Sequence, residues 1–142
     1  MKKLYIPVAV AAVLAAVLLM MYALSFKTVR LEKPASGSVV YHSGTAALEQ
    51  PLTNEQAEAA AKIFDGKRLP PETLSGTPSC GFSQDIAIIL NGRRFLLAQD
   101  SCAIVRDGDT GRYFSITEAQ RQTLEAIFAA CGGSFPCLSI TE

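Results

Sequence analysis

The sequence predicts an α+β chain: an N-terminal transmembrane helix, then a small disulfide-stapled domain of three-stranded antiparallel sheet with two flanking helices. Three observations predict it. Leu4 to Phe26 is uncharged and apolar. Two helix-start signatures, at Thr53 and Thr117, bracket a segment rich in β-branched and aromatic residues. Inside that segment, Asn91-Gly92 is a strong short-range hairpin signal.

The apolar run reads as a signal-anchor over residues 1–26. At about 1.5 Å per residue, a helix from Leu4 to Phe26 reaches roughly 34 Å, enough for a hydrocarbon core of about 30 Å. A cleaved secretory signal has a shorter apolar core, of about 7 to 15 residues. Cleavage near Ser25, within Ala23-Leu24-Ser25, is the alternative and gives a secreted domain. No cysteine follows the run directly, which excludes a lipidated anchor of the usual kind. Lys2 and Lys3 stand on one side and Lys27, Arg30 and Lys33 on the other, so charge barely orients the helix. The cysteines break the tie. All four lie in the C-terminal half, an even set in a small domain that gains from staples, which places the domain outside the cytoplasm. Ala11 with Ala15 and Ala12 with Ala16 have the spacing for close helix approach, hence a homodimer through this helix, although Ala is also simply common in such helices.

Residues 27–50 read as a flexible stalk, punctuated by Pro34, Ser36, Gly37, Ser38, Ser43 and Gly44, with only Val39-Val40-Tyr41 fit for a short strand. The domain, 51–142, opens with a helix. Thr53 and Gln56 form a capping box, Leu52 sits where a hydrophobic staple belongs, and Ala57, Ala60, Ala61 and Phe64 follow at helical spacing. Gly66 stops it, and Pro70-Pro71 blocks continuation. Phe82 to Leu90 and Arg93 to Arg106 form the hairpin, apolar enough to be buried on both faces or nearly so. Asp107-Gly108-Asp109-Thr110-Gly111 turns the chain into a third strand, Arg112 to Ile116. Thr117 and Gln120 cap a second helix with the apolar face Leu124, Ile127, Phe128 and Cys131, and Gly132-Gly133 ends it. The simplest arrangement puts both helices on one face of an antiparallel sheet.

Of 13 basic residues, Lys2 and Lys3 precede the run, leaving 11 against 13 acidic ones and a net of −2. That favours neither nucleic acid nor an anionic membrane surface. The chain has no Trp and a single His.

Four cysteines allow three pairings. A two-residue turn pairs Leu90 with Arg93 and puts Cys80 opposite Ala103; a three-residue loop pairs Ile89 with Arg93 and puts Cys80 opposite Cys102. Both registers bring Cys80 near Cys102. Cys131 and Cys137 flank Gly132-Gly133, so the preferred pattern is Cys80–Cys102 with Cys131–Cys137. Redox chemistry is the sharper alternative, but there is no Cys-x-x-Cys, and Cys131 sits at a helix end, where the dipole disfavours a thiolate. The four cysteines lack the close pairs of a zinc site, so no metal or other cofactor is expected.

Other candidates are weaker. Asp85 and Asp100 lie on the two hairpin strands and could serve as a general acid and base; the plainer role for Asp100 is to satisfy backbone beside Ser101. Asp107, Asp109 and Glu118 occupy the first, third and twelfth positions of a calcium loop, but Gly111 and Arg112 fall fifth and sixth, where such a loop needs a ligand and a glycine. A plain turn fits better. His42 lies in the stalk with nothing to orient it, so a hydrolytic triad is out of reach. Arg93-Arg94 with Lys67-Arg68 is a thin case for a basic patch, and Phe82 and Phe95 read as core.

Cys80-Gly81-Phe82, Ala98-Gln99-Asp100-Ser101-Cys102, Tyr113-Phe114-Ser115-Ile116 and Gly132-Gly133-Ser134-Phe135-Pro136-Cys137 together carry a resemblance, joined by Leu52-Thr53 and Ile63-Phe64-Asp65-Gly66-Lys67. Over about residues 50 to 138 the chain resembles small uncharacterised secreted or membrane-anchored proteins of Gram-positive bacteria. The resemblance implies an extracytoplasmic domain whose cysteines belong to its architecture, and no activity. Cys131 fits it least; with Cys131 unpaired, Cys80–Cys137 or Cys102–Cys137 is the remaining option. The leading functional expectation is a membrane-tethered, extracytoplasmic, non-catalytic binding or accessory module. Its partner is an envelope protein or extracellular peptide met at the hairpin edge or the helix faces. The alternative is an extracytoplasmic enzyme, either a thiol redox protein or a hydrolase using Asp85 and Asp100.

Overall fold

A computed structural model of the chain describes residues 5–43 and 45–133, and the side chains within them other than those of residues 5–7, 43 and 75. The first element, α1, is Tyr5–Leu24, apolar on all sides. Every side chain from Val8 to Leu24 is exposed. The 20 residues of α1 rise about 30 Å, with nothing to spare against a hydrocarbon core of about 30 Å. Among the described residues no helix is long and apolar enough to cross a membrane, which corrects the transmembrane reading of residues 1–26. Ser25 and Phe26 lie beyond the helix end and do not lengthen it.

The rest of the chain builds two sheets. The larger is six-stranded and antiparallel, in the order β3-β2-β5-β6-β7-β8, from β2 (Gly37–Ser43), β3 (Ala46–Pro51), β5 (Phe82–Leu90), β6 (Arg93–Ala98), β7 (Ile104–Asp107) and β8 (Tyr113–Ser115). The smaller pairs β1 (Lys27–Thr28) with β4 (Arg68–Leu69). The expected three-stranded sheet is thus corrected to six strands plus two. Two local facts account for the difference. Residues 27–50, expected as a flexible stalk, contain β1, β2 and most of β3, and Val39 and Tyr41, two residues apart on β2, both face the core. The run Arg93 to Arg106 is two strands, because the chain breaks at the stapled corner between β6 and β7.

Helix α2 (Asn54–Phe64) and helix α4 (Glu118–Ala130) carry both expected capping boxes, Thr53 with Gln56 and Thr117 with Gln120. A short α3 (Glu72–Ser75) follows Pro71. Ala57, Ala60, Ala61 and Phe64 of α2 and Leu124, Ile127 and Phe128 of α4 pack on Ile86, Ile88, Leu90, Phe95, Leu97, Val105 and Phe114 of the sheet. Phe64 stacks on Phe95 with ring centroids 4.5 Å apart. Side-chain alternation sends Val40, Ala87, Leu96, Arg94, Arg106 and Tyr113 to the other face.

The hairpin turn has two residues: Leu90 pairs with Arg93, and Asn91 and Gly92 both take positive φ. Farther out an irregularity between Phe82 and Ala87 shifts the register, so that Phe82 meets Ala98. Neither simple register holds along the whole hairpin. The shift still leaves Cys80 and Cys102 within bonding reach, with Cα atoms 6.5 Å apart and a disulfide between them. Cys131 has no disulfide partner among the described residues, and Cys137 lies outside them.

Candidate functional site

The hairpin edges are not free. β5 is covered by β2 and β6 by β7, so the expected docking edge is interior to the sheet. Among the described residues the open edge is β3, every residue of which is exposed. Its hydrogen-bonding polarity follows from one contact. The Leu52 N–H donates to the Gly37 carbonyl at 2.9 Å, continuing the β2–β3 ladder in which Ser38 faces Pro51 and Val39 faces Gln50. In an antiparallel ladder the inward-bonding residues alternate, so 46, 48, 50 and 52 bond to β2 while Ala47 and Glu49 turn their backbone groups outward. Pro51 shares the outward set and has no N–H to offer. Natural edges are blunted by charge, proline or brevity. β3 carries one charge, Glu49, and one proline at its far end. At the opposite edge β8 is only three residues long and lies against β4.

The second face of the sheet collects polar and aromatic side chains. His42 Nε2 lies 3.5 Å from Asp85 Oδ2, both well exposed. The Arg94 guanidinium donates to the Gln84 carbonyl at 2.5 Å, the Arg106 guanidinium lies 5.8 Å from the Tyr113 ring centre, and Phe82 packs on Tyr113 at 5.4 Å. His42 therefore has an orienting acid that sequence distance hid, since β2 and β5 are adjacent only through the sheet. An exposed pair of this kind contributes little by itself.

The proposed acid–base pair is not assembled. Asp85 turns to His42, whereas Asp100 Oδ1 accepts the Cys102 N–H at 3.0 Å, the backbone-satisfying role. Cys80, Asp100 and Cys102 bring potential ligand atoms within 4.8 Å of one another. The two sulfurs are joined to each other, so they present no thiolate to a metal. Cys131 sits at the end of α4, where burial pushes its thiol up, away from the reactive thiolate a redox site needs. Its carbonyl accepts the Tyr41 hydroxyl at 2.8 Å, tying the end of α4 to β2.

The turn at Asp107 holds the fully buried charged side chain of the described residues. Arg93 donates from Nε to Asp107 Oδ1 at 2.7 Å and from Nη2 to Oδ2 at 3.0 Å, and the Thr110 N–H donates to Oδ2 at 3.1 Å. Burial alone raises the Asp107 carboxyl, but these hydrogen bonds and the Arg93 charge outweigh it and hold the group below the usual carboxylate range. Both carboxylate oxygens are occupied by protein donors, consistent with a turn and not a calcium loop. An open groove of about 580 Å³ runs along α2, lined by Glu55, Glu58, Ala59, Lys62 and Ile63 with Thr123 of α4. Neither Asp85 nor Asp100 reaches it. No protein-family model, curated protein or solved structure matches the chain.

Proposed function

We propose that this chain is a non-catalytic binding or accessory module of the bacterial envelope. Helix α1 holds it at a membrane, its stapled domain lies outside the cytoplasm, and it takes up an extended segment of another envelope protein as an added strand on β3. The observation that carries the reading is the nearly uncharged β3 edge, unpaired among the described residues on its outer side, where the backbone groups of Ala47 and Glu49 point outward. The apolar, fully exposed surface of α1 supports membrane attachment, since such a helix needs an apolar surround. The Cys80–Cys102 bond supports an oxidising compartment.

The test uses the full chain as bait against detergent-solubilised envelope. Ala47→Pro removes an outward N–H and leaves every bond to β2 intact, so it blocks strand addition without breaking the ladder. The expected result is a partner recovered by the wild type and lost with Ala47→Pro. Equal recovery by both, with the variant shown folded by circular dichroism, overturns the edge reading. Failure to recover any partner in several detergents counts against the module itself.

A further inference from the structure

We propose that the foot of α1 is a binding surface for anionic lipid headgroups, built by Lys27, Arg68 and Arg112. This rests on the reading that α1 is seated in a membrane. The helix ends at Leu24, and the next residues are stitched to the domain. Arg112 Nη1 donates to the Ser25 carbonyl at 2.7 Å and to the Leu69 carbonyl at 3.3 Å. The Arg68 guanidinium lies over the Phe26 ring at 4.6 Å, and Phe26 meets Tyr22 edge-on at 5.2 Å. Lys27 pairs across from Leu69 in the β1–β4 ribbon, with its own side chain exposed. Three cations from two distant segments and the helix junction therefore stand near one end of an apolar rod, Lys27 and Arg68 on opposite faces of the β1–β4 ribbon.

Two independent features fit a bilayer interface at this level. Tyr rings at an apolar helix end settle among headgroups, and Tyr22, packed edge-on against Phe26, occupies that position. Among the described residues no carboxylate forms an ion pair with Lys27, Arg68 or Arg112. Their charge is available to a phosphate, for which guanidinium groups are well matched. Arg68 and Lys67 also border an open cleft of about 350 Å³ with Pro70, Pro78 and Tyr113, room for a headgroup. The net of −2 beyond the apolar run gives no hint of this, because the cations meet only in the fold.

The experiment floats the full chain, diluted from detergent, with vesicles of phosphatidylcholine alone or of phosphatidylcholine with one third phosphatidylglycerol. Lys27 and Arg68 are exposed, so Lys27→Gln with Arg68→Gln removes charge without disturbing the Arg112 contacts. Each cation near such a surface is worth roughly fivefold in partitioning. The wild type is expected to prefer the anionic vesicles, with the preference falling about 25-fold in the double variant and shrinking in high salt. Arg68→Lys should keep most of it. An equal preference in wild type and double variant overturns the headgroup surface while leaving α1 attachment standing. Failure of the wild type to float with either vesicle overturns the membrane reading of α1, and this inference with it.

Discussion

Asp107 is the fully buried charged side chain among the described residues, and its surroundings decide what it contributes. Replacing it by Asn leaves the Arg93 guanidinium with a poorer partner, and the expected cost is about 2–3 kcal/mol by urea unfolding. The pH dependence has a definite sign. A carboxyl held low in the fold contributes fully above its unfolded pKa of about 4, and the contribution drains away as pH falls through the lower folded value. Asp107→Asn should therefore flatten the acid limb of the stability curve; an acid limb as steep as in the wild type would refute the assignment. The staple is a second residue-scale prediction. The Cys80–Cys102 bond joins residues 22 apart, so replacing both by Ser should cost about 3 kcal/mol, read as a lower denaturation midpoint that reductant no longer shifts. Cys80 and Cys102 were legible as a pair because both registers bring them together. Arg93 with Asp107 was not, because the contact needs β6 beside β7, and nothing in the residues between them announces that the chain reverses at the stapled corner.

The helices and the hairpin turn were plain in the sequence because their signals are local. Thr53 and Thr117 each accept a backbone N–H three residues on, while Gln56 and Gln120 return the bond. Thr53→Ala and Thr117→Ala should each lower stability by about 1 kcal/mol, and Ser at either site should restore most of it. β2 and β3 were hidden for the opposite reason. Gly37 and Ser38 look like spacer, and only the neighbouring β5 makes a strand of them. Gly37 shows how tight that pairing is: a Cβ there would stand 1.8 Å from the Ile89 carbonyl oxygen. Gly37→Ala should detach β2 from β5, seen as fast hydrogen exchange at Ser38 and Val40 and a large loss of stability. Normal protection at those amides would mean that the strands separate and close again at little cost.

At the scale of the molecule, α1 and the domain obey different physics, and fractionation should separate them. The full chain is expected with membranes and resistant to high salt, while a chain lacking residues 1–24 should move to the aqueous fraction; equal partitioning of the two would remove α1 as the attachment. The apolar run was legible as a location signal, but its helix is shorter than the run. The β3 edge proposed as a docking surface was not legible, since an edge exists only once strand order is known. The β1–β4 ribbon has a consequence for reach. Val29 donates to the Lys67 carbonyl at 2.8 Å and Gly66 to the Val29 carbonyl at 2.9 Å, within a few residues of the end of α1. Had residues 27–50 been loose, the domain would have wandered through a volume some 25–30 Å across, diluting its edge accordingly. Stitched at its base, the domain leaves α1 with little slack, so on the proposed membrane seating β3 would stand at a steady height and heading, and a partner held in the same plane would meet it at a high local concentration.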